Sequence, residues 1–124
     1  MACMADMRVE TYRAVDQIRE FGCVHYVGGW DEKSSNADKH AEDMIAWDHH
    51  KHTKDHLLDG AVGEVVCVGY GPDPVAAMRS ALWDAFCKCI RHRAVLRLNH
   101  VSWKAVGTYV DHAHDRVAVV VRLG

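Results

Sequence analysis

Apolar residues recur at helical and at strand spacing along the chain and predict alternating helices and strands. A first amphipathic helix is predicted over 8–21, followed by a short strand over 24–27 that two glycines close. Ser35 and Asp38 have the spacing of a capping box, so a second helix is predicted to begin near Asn36. The first half of the chain is therefore predicted to contain two helices with a strand between them.

The second half of the chain has clearer signals. It is predicted to contain a long helix over 74–92 and strands over 64–68, 95–98, 101–106 and 116–123. The last strand alternates apolar and polar residues, as a strand with one face on a core does. The polar stretch 107–115 is predicted to be a loop. Together these elements predict one α+β domain over 1–124, with an antiparallel sheet of about four strands and helices packed on one face.

Composition narrows the classes of function. The 124 residues are 49% hydrophobic and 26% charged, which is typical of one soluble domain. The net charge of −2 gives no general attraction to nucleic acid, so that partner is not expected. No apolar run approaches the ~20 residues that span a bilayer, and residues 1–7 do not have the pattern of a secretory signal. No membrane partner is therefore expected, and the protein is predicted to be cytoplasmic. The five cysteines are interpreted as reduced, because they are odd in number and form no C-x-x-C motif.

The most informative local motif connects a strand to the long helix. Gly69 and Gly71 allow backbone angles closed to other residues, and Asp73 followed by Pro74 suits a helix start. A helix N-terminus presents free N–H groups to an anion or carboxylate, unless Asp73 occupies them and the turn is only structural. Trp83 lies off the apolar stripe of the helix, which suits contact with a ligand or a partner chain. The candidate ligand-binding residues are Gly69, Tyr70, Gly71, Asp73, Val75 and Trp83.

Ten histidines are several times the usual number for a chain of this length. If the second helix continues through the densest tract, His49, His52 and His56 lie on one side of it and can bind zinc. His112 and His114 form a second, smaller group. The same tract is rich in lysine and aspartate, as a solvated surface is, and it contains no H-E-x-x-H motif. We therefore expect no cofactor, with zinc as the one metal to consider.

No catalytic constellation is evident in the sequence. The serines lack the context of a nucleophile elbow, and the glycines of the turn lack the Lys-Ser/Thr of a phosphate-binding loop. Asp and His residues are plentiful but scattered, and scattered residues do not define a triad. We predict no catalytic residues and favour a protein that is not an enzyme.

The order of elements in the second half resembles a known family. A strand ending in Gly69-Tyr70-Gly71-Pro72 precedes an alanine-rich helix, an aliphatic strand, the run Trp103-Lys104-Ala105-Val106 and a valine-rich strand. In this order, residues 60–123 resemble the regulatory, leucine-sensing and dimerising domain of alpha-isopropylmalate synthases. Tyr70 stands where that family has Asn, and Asp73-Pro74 look like an insertion. The resemblance implies a regulatory domain that forms a homodimer or a higher oligomer.

A second resemblance and three functional hypotheses follow. The run Asp73-Pro74-Val75-Ala76-Ala77-Met78-Arg79 is similar to one in small, uncharacterised phage proteins. The first hypothesis is a non-catalytic binding module for a small anionic or carboxylate-bearing ligand, by which a phage protein would sequester a nucleotide-like signal of its host. The second is a protein-interaction module that inhibits a host enzyme. The third is a histidine-rich, metal-dependent hydrolase or nuclease.

Overall fold

The computed structural model describes residues 4–54 and 58–124, which form four helices, one 3₁₀ turn and four strands. In chain order these are α1 (Met4–Phe21), β1 (Gly28–Gly29), α2 (Asp31–Ala46), β2 (Gly63–Tyr70), α3 (Pro74–Lys88), α4 (Ile90–Leu96), β3 (Trp103–Asp111), the 3₁₀ turn (His112–His114) and β4 (Arg116–Leu123). The predicted α+β class is confirmed. None of the described helices is both long and apolar enough to cross a membrane.

The four strands form one sheet in the order β1-β3-β4-β2. β4 pairs antiparallel with β2 on one side and with β3 on the other, along nearly its whole length. β1 contributes two residues, which pair parallel with the start of β3. The predicted sheet of about four mostly antiparallel strands is confirmed, and the predicted bounds of the last strand, 116–123, match those of β4.

Helices cover both faces of the sheet. On one face Val65 and Val119 pack against α1 and α3, whose Met78 is fully buried. On the other face α2 buries Met44 against Val120. The structure differs here from the prediction that helices pack on one face, because β4 carries valine or alanine on both of its alternating sets and each set needs a cover.

Two glycines let helices lie unusually close to the sheet. A Cβ atom on Gly107 in β3 would lie 2.1 Å from the carbonyl carbon of Ala37 in α2. A Cβ atom on Gly69 in β2 would lie 2.1 Å from the carbonyl oxygen of Ala77 in α3. Real Cβ atoms do not approach other heavy atoms this closely, so each helix keeps its position only while the strand below it carries glycine.

Several predicted boundaries in the second half are wrong. The long helix over 74–92 is interrupted at Cys89, whose backbone is extended, and α4 begins after it. The predicted strand over 95–98 is the end of α4 and the turn after it. Residues 107–111 of the predicted polar loop belong to β3, because Thr108, Tyr109 and Val110 suit a strand and pair with β4.

The start of α2 also differs from the prediction. The helix begins at Asp31 rather than near Asn36, and the expected capping box does not form. Asp38 instead accepts a hydrogen bond from the backbone N–H of Thr108 at 2.9 Å and pairs with Arg8 at 2.8 Å. The predicted strand over 24–27 is wrong, because these residues have no regular structure and β1 consists of the two glycines that follow them. Tertiary partners far away in the chain outweigh the local capping signal.

Candidate functional site

A cleft lies between α2 and the segment 47–54 that follows it, above the paired ends of β2 and β4. Its volume is about 180 Å³. Its lining residues are Asn36, Lys39, His40, Asp43, Thr53 and Arg122. Three more histidines, His49, His52 and His92, have contacts in or next to this region, so we call it the histidine cleft.

A buried ion pair forms the floor of the histidine cleft. Glu64 in β2 and Arg122 in β4 face each other in the strand register, and Arg122 Nε donates to Glu64 Oε2 at 3.0 Å. Thr53 donates to the same carboxylate through its backbone N–H at 2.8 Å and its hydroxyl at 2.6 Å. Arg122 also donates to Thr53 Oγ1 at 2.9 Å and to Asn36 Oδ1 at 2.6 Å. The network ties the two strands, α2 and the segment 47–54 together.

The same contacts keep Glu64 ionised. Burial alone would raise the pKa of Glu64, but the hydrogen bonds from Thr53 and the Arg122 guanidinium outweigh it and lower that pKa. Glu64 is therefore a carboxylate with fixed partners at neutral pH. One of its oxygens, Oε1, lies 3.2 Å from Nδ1 of His52.

The hydrogen bonds of two histidines fix which ring nitrogen keeps a lone pair. Nδ1 of His52 faces the Glu64 carboxylate, so in the neutral ring Nδ1 carries the proton and Nε2 is the unprotonated nitrogen. His40 faces the Lys51 carbonyl oxygen through Nε2 at 2.7 Å, which leaves Nδ1 unprotonated. Both imidazoles thus present a nitrogen that can accept a proton or bind a metal ion.

The other two histidines differ. His49 accepts a hydrogen bond on Nδ1 from the Lys51 backbone N–H at 3.0 Å, so its Nε2 carries the proton in the neutral form. His92 in α4 is half-buried, and burial, together with the neighbouring His52, lowers its pKa. A lowered pKa keeps the imidazole of His92 neutral at neutral pH.

The metal ligands suggested by the sequence do not share a helix face. α2 ends at Ala46, and residues 49–54 have no regular structure, so the helical spacing of His49 and His52 is absent. His56 lies outside the described residues. Within residues 4–54 and 58–124, no group of three or more His, Cys, Asp or Glu side chains is arranged to hold a metal ion. The second histidine group forms the 3₁₀ turn, where His114 pairs with Asp111 at 2.9 Å.

The strand-to-helix turn proposed as an anion site is closed by its own aspartate. Asp73 Oδ1 accepts from the backbone N–H of Val75 at 3.0 Å and of Ala76 at 3.3 Å, and Asp73 is the N-cap of α3. An external anion would have to displace this carboxylate. The N–H of Gly71 donates to the Asp115 carbonyl at 2.8 Å, and Gly69 lies against α3.

The aromatic residues suggested for that ligand lie apart in the structure. Tyr70 is exposed at the end of β2, whereas Trp83 packs edge-to-face on Phe21 and Phe86. Val75 is half-buried and also packs on the core. Ligand binding by the turn residues stays a prediction.

Sequence reasoning missed the centre of the histidine cleft. Glu64 and Arg122 were each assigned to a strand, and His92 to the end of a helix. The available signal was a charged residue inside each of two valine-rich strands, because a buried charge needs a partner. Their pairing spans 58 positions and depends on strand register, which the sequence pattern did not provide.

No protein-family model matches the sequence, and no curated protein matches it significantly. Comparison of structures does find neighbours. An outer surface protein of Borrelia burgdorferi superposes with a TM-score of 0.72 and 10% identity, over 98% of this chain and 95% of that chain. An extracellular protein of Bacillus anthracis that contains an SCP domain superposes with a TM-score of 0.70 and 13% identity, over 97% of this chain and 41% of that chain. The chain has the fold of SCP domains.

A third neighbour with this fold was determined with a metal. The protein NaASP2, in a crystal structure with Zn²⁺, superposes with a TM-score of 0.64 and 14% identity, over 94% of this chain and 78% of that chain. This chain therefore spans less than half of the Bacillus anthracis protein but most of the other two. Identities of this size establish a shared SCP fold and nothing finer.

These neighbours overturn several predictions. The resemblance to the regulatory domain of isopropylmalate synthases is wrong, because nearly the whole chain superposes on proteins with the SCP fold. The hypothesis of a phage module that sequesters a small ligand is wrong, since the structural neighbours are named as outer surface and extracellular proteins. The cytoplasmic prediction is wrong as well, since the neighbours are named as outer surface and extracellular proteins. The homodimer was implied by the resemblance alone and stays a prediction.

Proposed function

We propose that the protein is an SCP-fold domain that acts outside the cytoplasm and binds a divalent transition-metal ion in the histidine cleft, with zinc as the ion to test. The observation that carries the proposal is the pair of His52 and Glu64. A carboxylate on one ring nitrogen orients the imidazole and makes the opposite nitrogen a better metal ligand. A zinc-containing structure of NaASP2, which shares the fold, supports the choice of ion.

The donor set fits zinc in its chemistry. His52 would bind through Nε2 and His40 through Nδ1, the nitrogens that their hydrogen bonds leave unprotonated. His92 would supply a third imidazole only after the side chains rearrange, because no three such groups among the described residues are arranged to hold a metal ion. Imidazole is a preferred ligand of zinc, and a neutral ring is required for binding.

The described side chains do not form a closed metal cage, so binding requires the imidazoles to rotate. His52 is exposed for 59% of its side chain and lies on an irregular segment, which permits that rotation. Glu64 would not be a ligand, since Thr53 and Arg122 already occupy it. Its role would be to hold His52 in the metal-binding tautomer. A bound zinc ion would supply a Lewis-acidic centre with open positions for water or a partner's donor group.

Removal of the His52 imidazole should abolish most zinc binding. We expect untagged protein to bind one Zn²⁺ per chain and the His52→Ala variant to bind it about tenfold or more weakly, as removal of a ligand requires. Isothermal titration with zinc chloride measures both affinities. The matched control is His112→Ala, which removes an exposed imidazole from the 3₁₀ turn at the opposite end of β4.

Two results of that titration would contradict the proposal. One is an absence of zinc binding by the unmodified protein. The other is equal binding by the His52→Ala and unmodified proteins, because the ion would then lie elsewhere. Circular dichroism of each variant separates a lost ligand from a lost fold, and His92→Ala provides a second ligand removal on a different element.

A further inference from the structure

A second cavity lies where the ends of α1 and α3 meet α4. Its volume is about 430 Å³, which is within the range of small-ligand sites. Its lining residues are Phe21, Gly22, Cys23, Phe86, Cys87, Arg93 and Arg97. Because two cysteines face one space, we call it the thiol cavity.

The two thiols of the thiol cavity are accessible. Cys23 and Cys87 are free and exposed, whereas Cys67 is partly buried in β2. Burial raises the pKa of the Cys67 thiol to about 12, so this cysteine stays protonated and unreactive at neutral pH. Among the described cysteines, Cys23 and Cys87 are therefore the two accessible thiols of one cavity, and Cys67 is an unreactive thiol for comparison. The fourth, Cys89, is partly buried and does not line the cavity.

Two arginines fix positive charge beside these thiols. Arg93 donates to the Cys87 carbonyl oxygen at 2.8 Å through Nη2 and to the Phe86 carbonyl oxygen at 2.8 Å through Nε. Arg97 donates through Nε to the carbonyl oxygen of Gly22, the residue before Cys23, at 3.0 Å. Arg97 is exposed, so its terminal nitrogens can pair with an anion from solvent.

We propose that the thiol cavity forms mixed disulfides with anionic low-molecular-weight thiols of the glutathione class. The thiolate of Cys23 or Cys87 attacks one sulfur of the oxidised disulfide. The new S–S bond forms as the old one breaks, and the other half leaves as a thiolate, while the proton of the cysteine goes to solvent. The cysteine is oxidised and the small disulfide is reduced. Carboxylates of the attached half pair with Arg93 and Arg97.

The proposal predicts a selective reaction that depends on charge. Protein carrying Cys3→Ser is exposed to glutathione disulfide or to the neutral bis(2-hydroxyethyl) disulfide, and tryptic peptides are analysed by mass spectrometry over time. We expect Cys23 and Cys87 to be modified before Cys67. For each variant, the rate of cysteine modification by glutathione disulfide is divided by the rate of modification by the neutral disulfide. This ratio should fall roughly tenfold in Arg97→Gln and in high salt, because both remove the attraction for the anion.

Matched variants separate charge from structure. Arg91→Gln removes a charge from α4 at a position outside the cavity lining and should leave the rate ratio unchanged. Arg97→Lys keeps the charge and should retain most of the ratio, even if the bond to Gly22 is weakened. The neutral disulfide is the control for accessibility. Its rate of reaction with the cysteines would rise in a variant that only loosens the helix ends around the cavity.

Three outcomes would overturn the proposal. Equal rate ratios in Arg97→Gln and the parent would show that the arginine does not recruit the anion. Modification of Cys67 ahead of the cavity thiols would place the reactive site elsewhere. A protein that has lost two hydrogens and contains a disulfide between Cys23 and Cys87 would mean that the two cavity thiols oxidise with each other instead of forming mixed disulfides.

Discussion

Replacing Glu64 by Gln should lower the free energy of unfolding by about 3 kcal/mol, because it leaves the Arg122 guanidinium buried without its counter-charge. Arg122 is 1% exposed and Glu64 is 7% exposed, so water cannot substitute for the lost carboxylate. Urea denaturation followed by circular dichroism measures the change, and the melting temperature should fall by roughly 10 °C.

Two further variants test this explanation. Glu10→Gln removes a carboxylate from partly exposed pairs with Arg13 and Arg79 and should cost less than about 1 kcal/mol. The double variant Glu64→Leu with Arg122→Met removes both charges and should recover most of the loss. If the double variant were as unstable as Glu64→Gln, the unpaired charge of Arg122 would not explain the loss of stability. The hydrogen-bond network would then stabilise the fold by itself.

The same pair predicts how stability depends on pH. The folded-state pKa of Glu64 is lowered, so its contribution is fully present above the ordinary carboxyl value of about 4.3 and is lost as pH falls through the lowered pKa. The gap in unfolding free energy between the parent and Glu64→Gln should therefore narrow below about pH 4. A constant gap across that range would mean that the carboxylate charge is not the stabilising feature.

Replacing Gly107 by Ala should destabilise the protein strongly, because the added Cβ atom would lie within 2.4 Å of three backbone atoms of α2. The new Cβ would meet the backbone of Ala37, whose carbonyl carbon lies 2.1 Å from the ideal position, so α2 must move away from β3. Overpacking against backbone costs about 3 kcal/mol. Gly28→Ala is the matched control, because a Cβ there meets no atom within 4 Å.

The Gly107 variant also tests how the fold supports the histidine cleft. α2 carries Asn36 and His40 to the cleft, so its displacement should weaken zinc binding as well as stability. Thermal denaturation and zinc titration of Gly107→Ala and Gly28→Ala measure both effects. Unchanged stability in Gly107→Ala would show that α2 is not held against β3 by this close contact.

The sequence predicted those parts of the fold whose signals are local. β4 was predicted correctly because its valine-rich run follows the polar stretch 111–115 directly, and the start of α3 was predicted from Asp73 and Pro74. The same reasoning failed at Val95 and Leu96, which suit a strand in isolation but complete the short helix α4. A run of apolar residues does not distinguish a strand from a buried helix when it is this short.

The candidate site was mostly beyond the reach of a sequence pattern. His52 was named for its spacing to His49 on a helix that ends before either residue. What places His52 is its contact with Glu64, and what places Glu64 is Arg122 on a strand much later in the chain. Such a site exists only once the strand register is set. Sequence reasoning could therefore identify residues of the right type but not which of them contact one another.

The central position of β4 has a consequence for how the chain acquires its structure. β4 is the last strand in the sequence, yet it joins β2 to β3, and without it these two strands have no direct hydrogen bonds. During synthesis, the residues before β4 can form helices and a collapsed chain, but the sheet cannot assemble until residues 116–123 have left the ribosome. Until that moment the edges of β2 and β3 that pair with β4 remain uncovered, and this is the interval in which the nascent protein is most exposed to aggregation.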